Sequence, residues 1–242
     1  MNHRQKEKSI IRPKPLKGFG LPLAVHLPID PTGGYLVNTL QQDALQTRQF
    51  EGFRLFRLPG KIIITGAIGA PLAGIAIERL IVSGMKKIIL LGLAGSLVAD
   101  WRIGDAALVT EALSAEGTSR HYFPGEKTFS ASTKMNILVE RKLTKLGLPY
   151  RRTKVISTDA TFRETRSWLN QAKRQGAALV DMEASAELAI ASFYGVAAAA
   201  ILLVSDELFG RRWKAGFASP LLRQAAEKYF LPFLVEDVKE PS

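Results

Sequence analysis

The chain has 242 residues, 47% of them hydrophobic, a formal net charge of +11 and no cysteine. That apolar content at this length fits one globular domain with a sizeable core. The missing cysteines exclude disulfides, thiolate zinc sites, iron–sulfur ligation and a cysteine nucleophile, and they fit a cytoplasmic location.

The first 17 residues set Arg4, Lys6, Lys8, Arg12, Lys14 and Lys17 against Glu7 alone, which reads as a solvated basic tail over residues 1–20. It lacks the apolar core of a signal peptide. A polyanion contact is the sharper reading of this tail, but no recognition-helix or aromatic-rich RNA motif makes nucleic acid an expected partner. Residues 21–235 read as a single domain and 236–242 as a second tail.

From about Phe53 onward, short β-rich runs alternate with helical spacing. Lys61–Thr65 is a β-branched strand, and Pro71–Ser83 carries Leu72, Ile75, Ala76, Leu80 and Ile81 at helical intervals. Lys87–Leu91 and Ala106–Thr110 read as buried strands, Ser132–Leu146 as an amphipathic helix, and Lys154–Ser157 and Leu179–Met182 as further strands. Ala184–Tyr194 is helical, Val196–Val204 is a long buried run, and Ser219–Leu231 closes the domain with a helix. The longest apolar stretch, Ile62–Ile77, is broken by glycines and Pro71 and is shorter than the roughly 20 residues of a membrane span, so no membrane partner is expected. Continuous apolar strands alternating with helices predict an α/β fold with a mostly parallel sheet covered on both faces.

In such sheets ligands bind beyond the carboxyl ends of the strands. After the first of these strands comes Thr65-Gly66-Ala67-Ile68-Gly69-Ala70-Pro71, where glycines admit close approach and a helix start offers N–H groups to an anion. It matches neither a Walker A loop nor G-x-G-x-x-G. After the second comes Gly92-Leu93-Ala94-Gly95-Ser96. Arg102-Ile103-Gly104-Asp105 leads into the third, and a polar loop, Glu116–Tyr122, follows it. Glu183 opens the helix after the strand ending near Met182, and Ser205-Asp206 follows the strand ending at Val204. Taken singly, Glu183 suits a helix's first turn and Asp206 a cap or Asx-turn. Together they make an acid/base pair. The histidines, His3, His26 and His121, stand in no metal-ligand spacing, so no metal is expected.

These residues resemble the nucleoside phosphorylase type I family, which groups purine nucleoside phosphorylases, uridine phosphorylases and the hydrolytic methylthioadenosine/adenosylhomocysteine nucleosidases. The resemblance runs from Arg48 to Leu208 and rests on Thr65–Pro71, Gly92–Leu97, Gly104-Asp105, Val180–Ala186 and Val204-Ser205-Asp206 in that order. It implies a three-layer α/β/α fold with a central mixed, partly barrel-like sheet, and a homo-oligomer, dimer or hexamer. It implies that Glu183 and Met182 hold the ribose, that Asp206 protonates the departing purine at N7 and that Phe162 packs on the base. Ser205 and Gly95 fall in the substrate-binding set. Gly69 falls at the phosphate, as does Arg48, the latter reaching into a neighbouring subunit's site.

The chain also departs from that pattern. Where the phosphorylases carry Gly-Asp-Pro-x-Arg, it has Ile29-Asp30-Pro31-Thr32-Gly33. A second family arginine is Leu90, and the hydroxyl residue after Gly92 is Leu93. The acidic N-terminal segment of the hydrolytic branch has no counterpart, and the arginine before that branch's Ser-Asp is Leu202. Arg163-Glu164-Thr165-Arg166 lacks the uracil-reading pair, which points to a purine. The resemblance implies an enzyme that cleaves a purine nucleoside without a cofactor. Phosphorolysis stands first, with inorganic phosphate as co-substrate and Arg120 or Arg211 as replacement cations. Hydrolysis is the alternative, and a non-catalytic nucleoside-binding protein is the reading from another class. Gly210–Lys214 reads as a solvated basic loop, or as a flap over the site.

Overall fold

In the computed structural model, which describes residues 9–236, the chain starts with β1 (Leu23–Leu27), α1 (Tyr35–Asp43), β2 (Gln46–Phe50), β3 (Phe53–Leu58) and β4 (Lys61–Gly66). Next come α2 (Ala70–Val82), β5 (Lys87–Ser96), β6 (Ala106–Ala115), α3 (Ser119–Tyr122), β7 (Thr128–Ser130), α4 (Thr133–Lys145) and β8 (Arg151–Thr158). A 3-10 turn (Thr161–Arg163) leads to α5 (Arg166–Arg174), β9 (Ala177–Asp181), α6 (Ala184–Tyr194) and β10 (Ala197–Glu207), and then to β11 (Lys214–Ala215), α7 (Pro220–Tyr229) and α8 (Leu231–Val235).

The strands form one mixed sheet ordered β11-β10-β6-β8-β9-β5-β1-β4-β3-β2, with β7 on β6. A second pairing, β10 with β5, closes β10, β6, β8, β9 and β5 into a ring, which is the barrel-like part of the fold. The strand pattern alone predicts a mostly parallel sheet. The structure adds antiparallel contacts: β2 with β3 and β3 with β4, where short turns return the chain beside itself, and β5 with β9 and β6 with β10, which join strands far apart in sequence.

The apolar strands are continuous because both faces are covered. Along β10, Ala198, Ala200, Leu202 and Val204 enter one core with Ala76, Ile77 and Leu80 of α2 and Leu188 of α6. The alternate residues Ala199, Ile201 and Leu203 enter the other core, with Leu36 of α1, Leu138 of α4, Leu222 of α7 and Phe233 of α8. The period of two in a strand thus sorts one sequence into two layers. Helix starts follow local chemistry: the side chains of Ser132, Thr165 and Ser219 accept backbone N–H groups of Met135, Trp168 and Leu221.

The expected N-terminal tail ends earlier than residue 20. Leu16 and Phe19 are buried in the first core, and the Leu16 N–H donates to Ser83 Oγ at 2.8 Å. Arg4, Lys6, Glu7 and Lys8 of that tail, and all of the C-terminal tail except Glu236, lie outside the described residues. Among the described residues no helix is long and apolar enough to cross a membrane.

Candidate active site

The ends of β5, β9 and β10 and the turn after β4 meet at one pocket of about 190 Å³. Pro28, Ile29, Ile68, Leu93, Ala94, Val180, Met182 and Phe217 give it apolar walls, and Gly95, Thr161, Ser205 and Trp213 add to them. Its charged groups are Glu164, Asp181, Glu183 and Asp206, and among the described residues no lysine or arginine lines it.

The turn from β4 into α2 is built on left-handed backbone, with φ of 76° at Gly66, 58° at Ala67 and 83° at Gly69. A Cβ at Gly66 would stand 2.7 Å from the carbonyl oxygen of Gly52, so only glycine fits. Behind the turn lies His26, fully buried on β1; its Nε2 donates to the Gly66 carbonyl at 2.8 Å and its Nδ1 bonds Glu187 of α6. Burial opposes protonation of His26. The Glu187 carboxylate on one nitrogen and the Gly66 carbonyl on the other outweigh it and hold the pKa above the usual histidine value. The buried pair thereby ties β1, the turn and α6 together.

Glu183 stands at the junction of β9 and α6, with its Oε1 accepting the Gly69 N–H at 2.7 Å. Burial raises its pKa, and the Gly69 bond opposes that rise. The free N–H groups of α6 are satisfied by Asp181 instead, whose Oδ2 accepts from Ala184 N at 2.8 Å and Glu183 N at 3.3 Å. Its Oδ1 accepts from Ser157 Oγ at 2.5 Å. Capping of α6 therefore belongs to Asp181, leaving Glu183, read in the sequence as a first-turn carboxylate, for the pocket. Burial and the nearby Glu183 charge push Asp181 up to about 7.

Ser205 and Asp206 lie within β10 rather than beyond it. The register with β5 slips between Val204 and Asp206, a bulge that leaves Ser205 unpaired with β5 and re-aims the next side chain. Ser205 Oγ donates to Asp206 Oδ1 at 2.7 Å and Trp213 Nε1 donates to Asp206 Oδ2 at 2.7 Å. Gly95 makes room for this: a Cβ there would lie 2.3 Å from Leu208 Cδ1 and 3.1 Å from Asp206 Oδ2.

Six of the site residues expected from the sequence thus have definite places around one pocket: Glu183, Asp206, Met182, Ser205 and Gly95 line it, and Gly69 holds Glu183. Met182 accepts a hydrogen bond on sulfur from Thr161 at 3.7 Å. Phe162 is not brought to the pocket. It is fully exposed on the 3-10 turn, where the side chain following Thr161 points away from the walls. Arg48 is exposed on the edge strand β2, with its guanidinium 5.3 Å from the centre of the Phe50 ring, and is also outside the pocket. Arg120 and Arg211 are exposed and outside it too. The Gly69 N–H, expected at a phosphate, is occupied by Glu183. The loop after β10 places Trp213 in the pocket wall while Arg211, Arg212 and Lys214 stay exposed, and Arg166 Nη1 donates to Leu208 O at 2.8 Å and Nη2 to Gly210 O.

Sequence reasoning passed over Glu164. It follows the 3-10 turn and lines the pocket, and burial together with the Asp206 charge pushes it up to about 7. Asp181 shows in the sequence only as part of a motif. A carboxylate three residues before the first turn of α6 is the signal available for it. Among the described residues no cluster of three or more His, Asp or Glu is placed to hold a metal ion.

These shifts set a pH dependence of stability. Asp181 and Glu164, with pKa raised to about 7, bind more protons folded than unfolded between roughly pH 4.5 and 7, so stability falls as pH rises through that window. His26, raised above 6.5, acts in the same direction: its contribution is full below the unfolded value and is lost above the folded one. Glu116, Glu140 and Glu207 are lowered and lose their contribution only in acid below about 4.5. The melting temperature is expected to be higher near pH 5.5 than near pH 8, with a shallower slope in Asp181→Asn. A flat or rising melting curve would contradict the assignment.

Carboxylates gathered beside an apolar slot at strand ends form a site suited to splitting a bond at a carbon that becomes cationic, with an acid for the leaving group. A family model described as the phosphorylase superfamily matches residues 49–231, and the chain belongs to this superfamily as one of its enzymes. The purine nucleoside phosphorylase DeoD-type of a Bacillus cereus strain is 28% identical over 196 residues, covering 77% of this chain and 82% of that protein. Among solved structures, the purine nucleoside phosphorylase of Toxoplasma gondii in complex with immucillin-H is similar in fold at TM-score 0.77 and 20% identity, covering 94% of this chain and 96% of that one. The 5'-methylthioadenosine/S-adenosylhomocysteine nucleosidase of Helicobacter pylori is similar in fold at TM-score 0.71 and 19% identity, covering 89% and 98%.

Proposed function

We propose that the protein cleaves the N-glycosidic bond of a purine nucleoside and that water receives the sugar. The observation that carries the second half is the charge of the pocket: among the described residues four carboxylates and no cation line it. A phosphate dianion needs several donors. Here it would meet Glu164, Asp181, Glu183 and Asp206, and the Gly69 N–H at the start of α2 is already bonded to Glu183. The same negative field favours an oxocarbenium-like sugar, the charge that develops as the bond breaks.

In this reading the purine lies between the apolar walls with its imidazole ring toward Asp206. Protonation at N7 lets the base leave neutral; Asp206 in its acid form delivers that proton and regains one as water bonds to C1′ and loses a proton. Glu183 retains acceptor capacity beyond its Gly69 bond and takes the hydroxyls of the sugar. Trp213 and Phe217 screen the reacting atoms from bulk water. No cofactor enters, and a cytoplasmic location fits.

Phosphorolysis remains a second reading for one reason: relatives at 28% identity are named as purine nucleoside phosphorylases. It requires a cation from a second copy of the chain in a homo-oligomer, and Arg48 on the exposed edge strand is the residue for it. Adenosine, inosine and guanosine are each to be incubated with the protein in phosphate-free buffer and in buffer with phosphate. Free base and ribose in both buffers, at rates within about twofold, is the expected result. Ribose 1-phosphate, and base release only when phosphate is present, would overturn hydrolysis in favour of phosphorolysis.

A further inference from the structure

Glu164 has no role in the chemistry described so far, and it is unusual among the carboxylates of the site. Glu183 bonds Gly69, Asp181 bonds Ser157 and Ala184, and Asp206 takes both Ser205 and Trp213. The carboxyl of Glu164 makes no hydrogen bond and no ion pair among the described residues, although it is half-buried and lines the pocket. A half-buried carboxyl that lines the pocket without a partner among those residues has its full hydrogen-bonding capacity open to a ligand.

Its neighbour fixes which part of the ligand it meets. Glu164 and Asp206 line the same pocket, and the Asp206 charge acts on Glu164. Resting on the reading above, Asp206 is at N7 of the purine. Around the purine rim N7 is flanked by C8, which bears only hydrogen, and by the C6 substituent. The one polar group beside N7 is therefore at C6. We propose that Glu164 reads the C6 substituent of the purine and sets the preference between 6-amino and 6-oxo bases.

The two protonation states of a carboxyl read opposite partners. An ionised carboxylate only accepts, and pairs with a 6-amino group. A protonated carboxyl can donate, and pairs with a 6-oxo group. Burial and the Asp206 charge place the change near pH 7. Other charges around Glu164 leave this intact. Arg166 on α5 is turned to the carbonyls of Leu208 and Gly210, Arg163 and Arg211 are exposed, and Asp181 and Glu183 add further negative charge to the pocket.

The test measures binding of the free bases adenine and hypoxanthine by calorimetry, from about pH 5.5 to about pH 8.5, with the wild type and Glu164→Gln. Binding needs no turnover, so its outcome is separate from that of the base-release assay. The expected result is a ratio of adenine to hypoxanthine affinity that rises roughly tenfold across the range in the wild type. In Glu164→Gln, whose amide both donates and accepts at every pH, the ratio is expected to be flat. A ratio independent of pH in the wild type overturns the proposal, as does one that still rises in Glu164→Gln, or failure of both bases to bind. Base release with a flat ratio would leave the glycosidic reading standing and remove Glu164 alone.

Discussion

Replacing Asp206 with asparagine is expected to lower the rate of base release by about 10²–10⁴-fold, the range for losing a positioned general acid, while nucleoside affinity changes only a few-fold. The contrast follows from how the side chain is held. Ser205 and Trp213 fix its two oxygens, so the carboxyl is presented in one orientation by groups that do not themselves touch the leaving atom. Asparagine keeps the shape and one acceptor, and its amide nitrogen has to face a donor, either the serine hydroxyl or the indole N–H. Trp213→Phe provides the control, since it removes the indole donor and leaves the carboxyl. Its loss is expected to be smaller, near the value of one hydrogen bond to a charged group, roughly 10-fold or slightly more. Rates of adenine or hypoxanthine release with a parallel binding measurement check both variants. Turnover of Asp206→Asn equal to wild type would end the acid assignment.

The long strands from β4 to β10 were legible because burial on both faces writes itself as unbroken apolar runs, as in Lys87–Leu91 and Val196–Val204, whereas α3, β7 and α5, which are short or mostly polar, were not. The first fifty residues were not. The run Leu23–Leu27 contains His26, a polar residue in the middle of a strand, and its burial makes sense only with Glu187 of α6, far away in sequence. The edge strand β2 carries Gln46, Thr47, Arg48 and Gln49, all exposed, so it shows no apolar alternation at all. Closure of the sheet was also beyond pattern reading, because the β10–β5 pairing depends on curvature and not on composition.

The site divided in the same way. Glu183 and Asp206 were legible from their places after strands. The bulge at Ser205, which aims Asp206, is a register property that no local sequence marks. Trp213 and Glu164 come from segments that look like solvated polar loops, and they join the pocket only through tertiary contact. Phe162 shows the converse error. The family resemblance implied that it packs on the base, yet its side chain faces solvent.

Glu183→Ala is expected to be the second damaging change, for a reason that also tests the choice of nucleophile. Loss of charge-assisted bonds to the sugar should reduce kcat/KM by roughly 10²-fold or more, about 3 kcal/mol of transition-state stabilisation. Folding should survive, because the buried carboxylate is held above its usual pKa by desolvation and raises that of Asp181 as well. Removing it relieves both, and the melting temperature near pH 8 should not fall. The Gly69 N–H at the start of α2, however, loses its internal anion. On the hydrolytic reading that position excludes phosphate in the wild type, because Glu183 occupies it. In the alanine variant the free N–H and the helix dipole should admit it, so phosphate should protect Glu183→Ala against thermal unfolding and leave the wild type unaffected. Glu183→Gln separates the two effects, since its amide oxygen still accepts from Gly69 while the charge is gone. It should lose activity without gaining phosphate protection. Equal protection of all three proteins would mean that phosphate binds elsewhere, and that Glu183 does not exclude it.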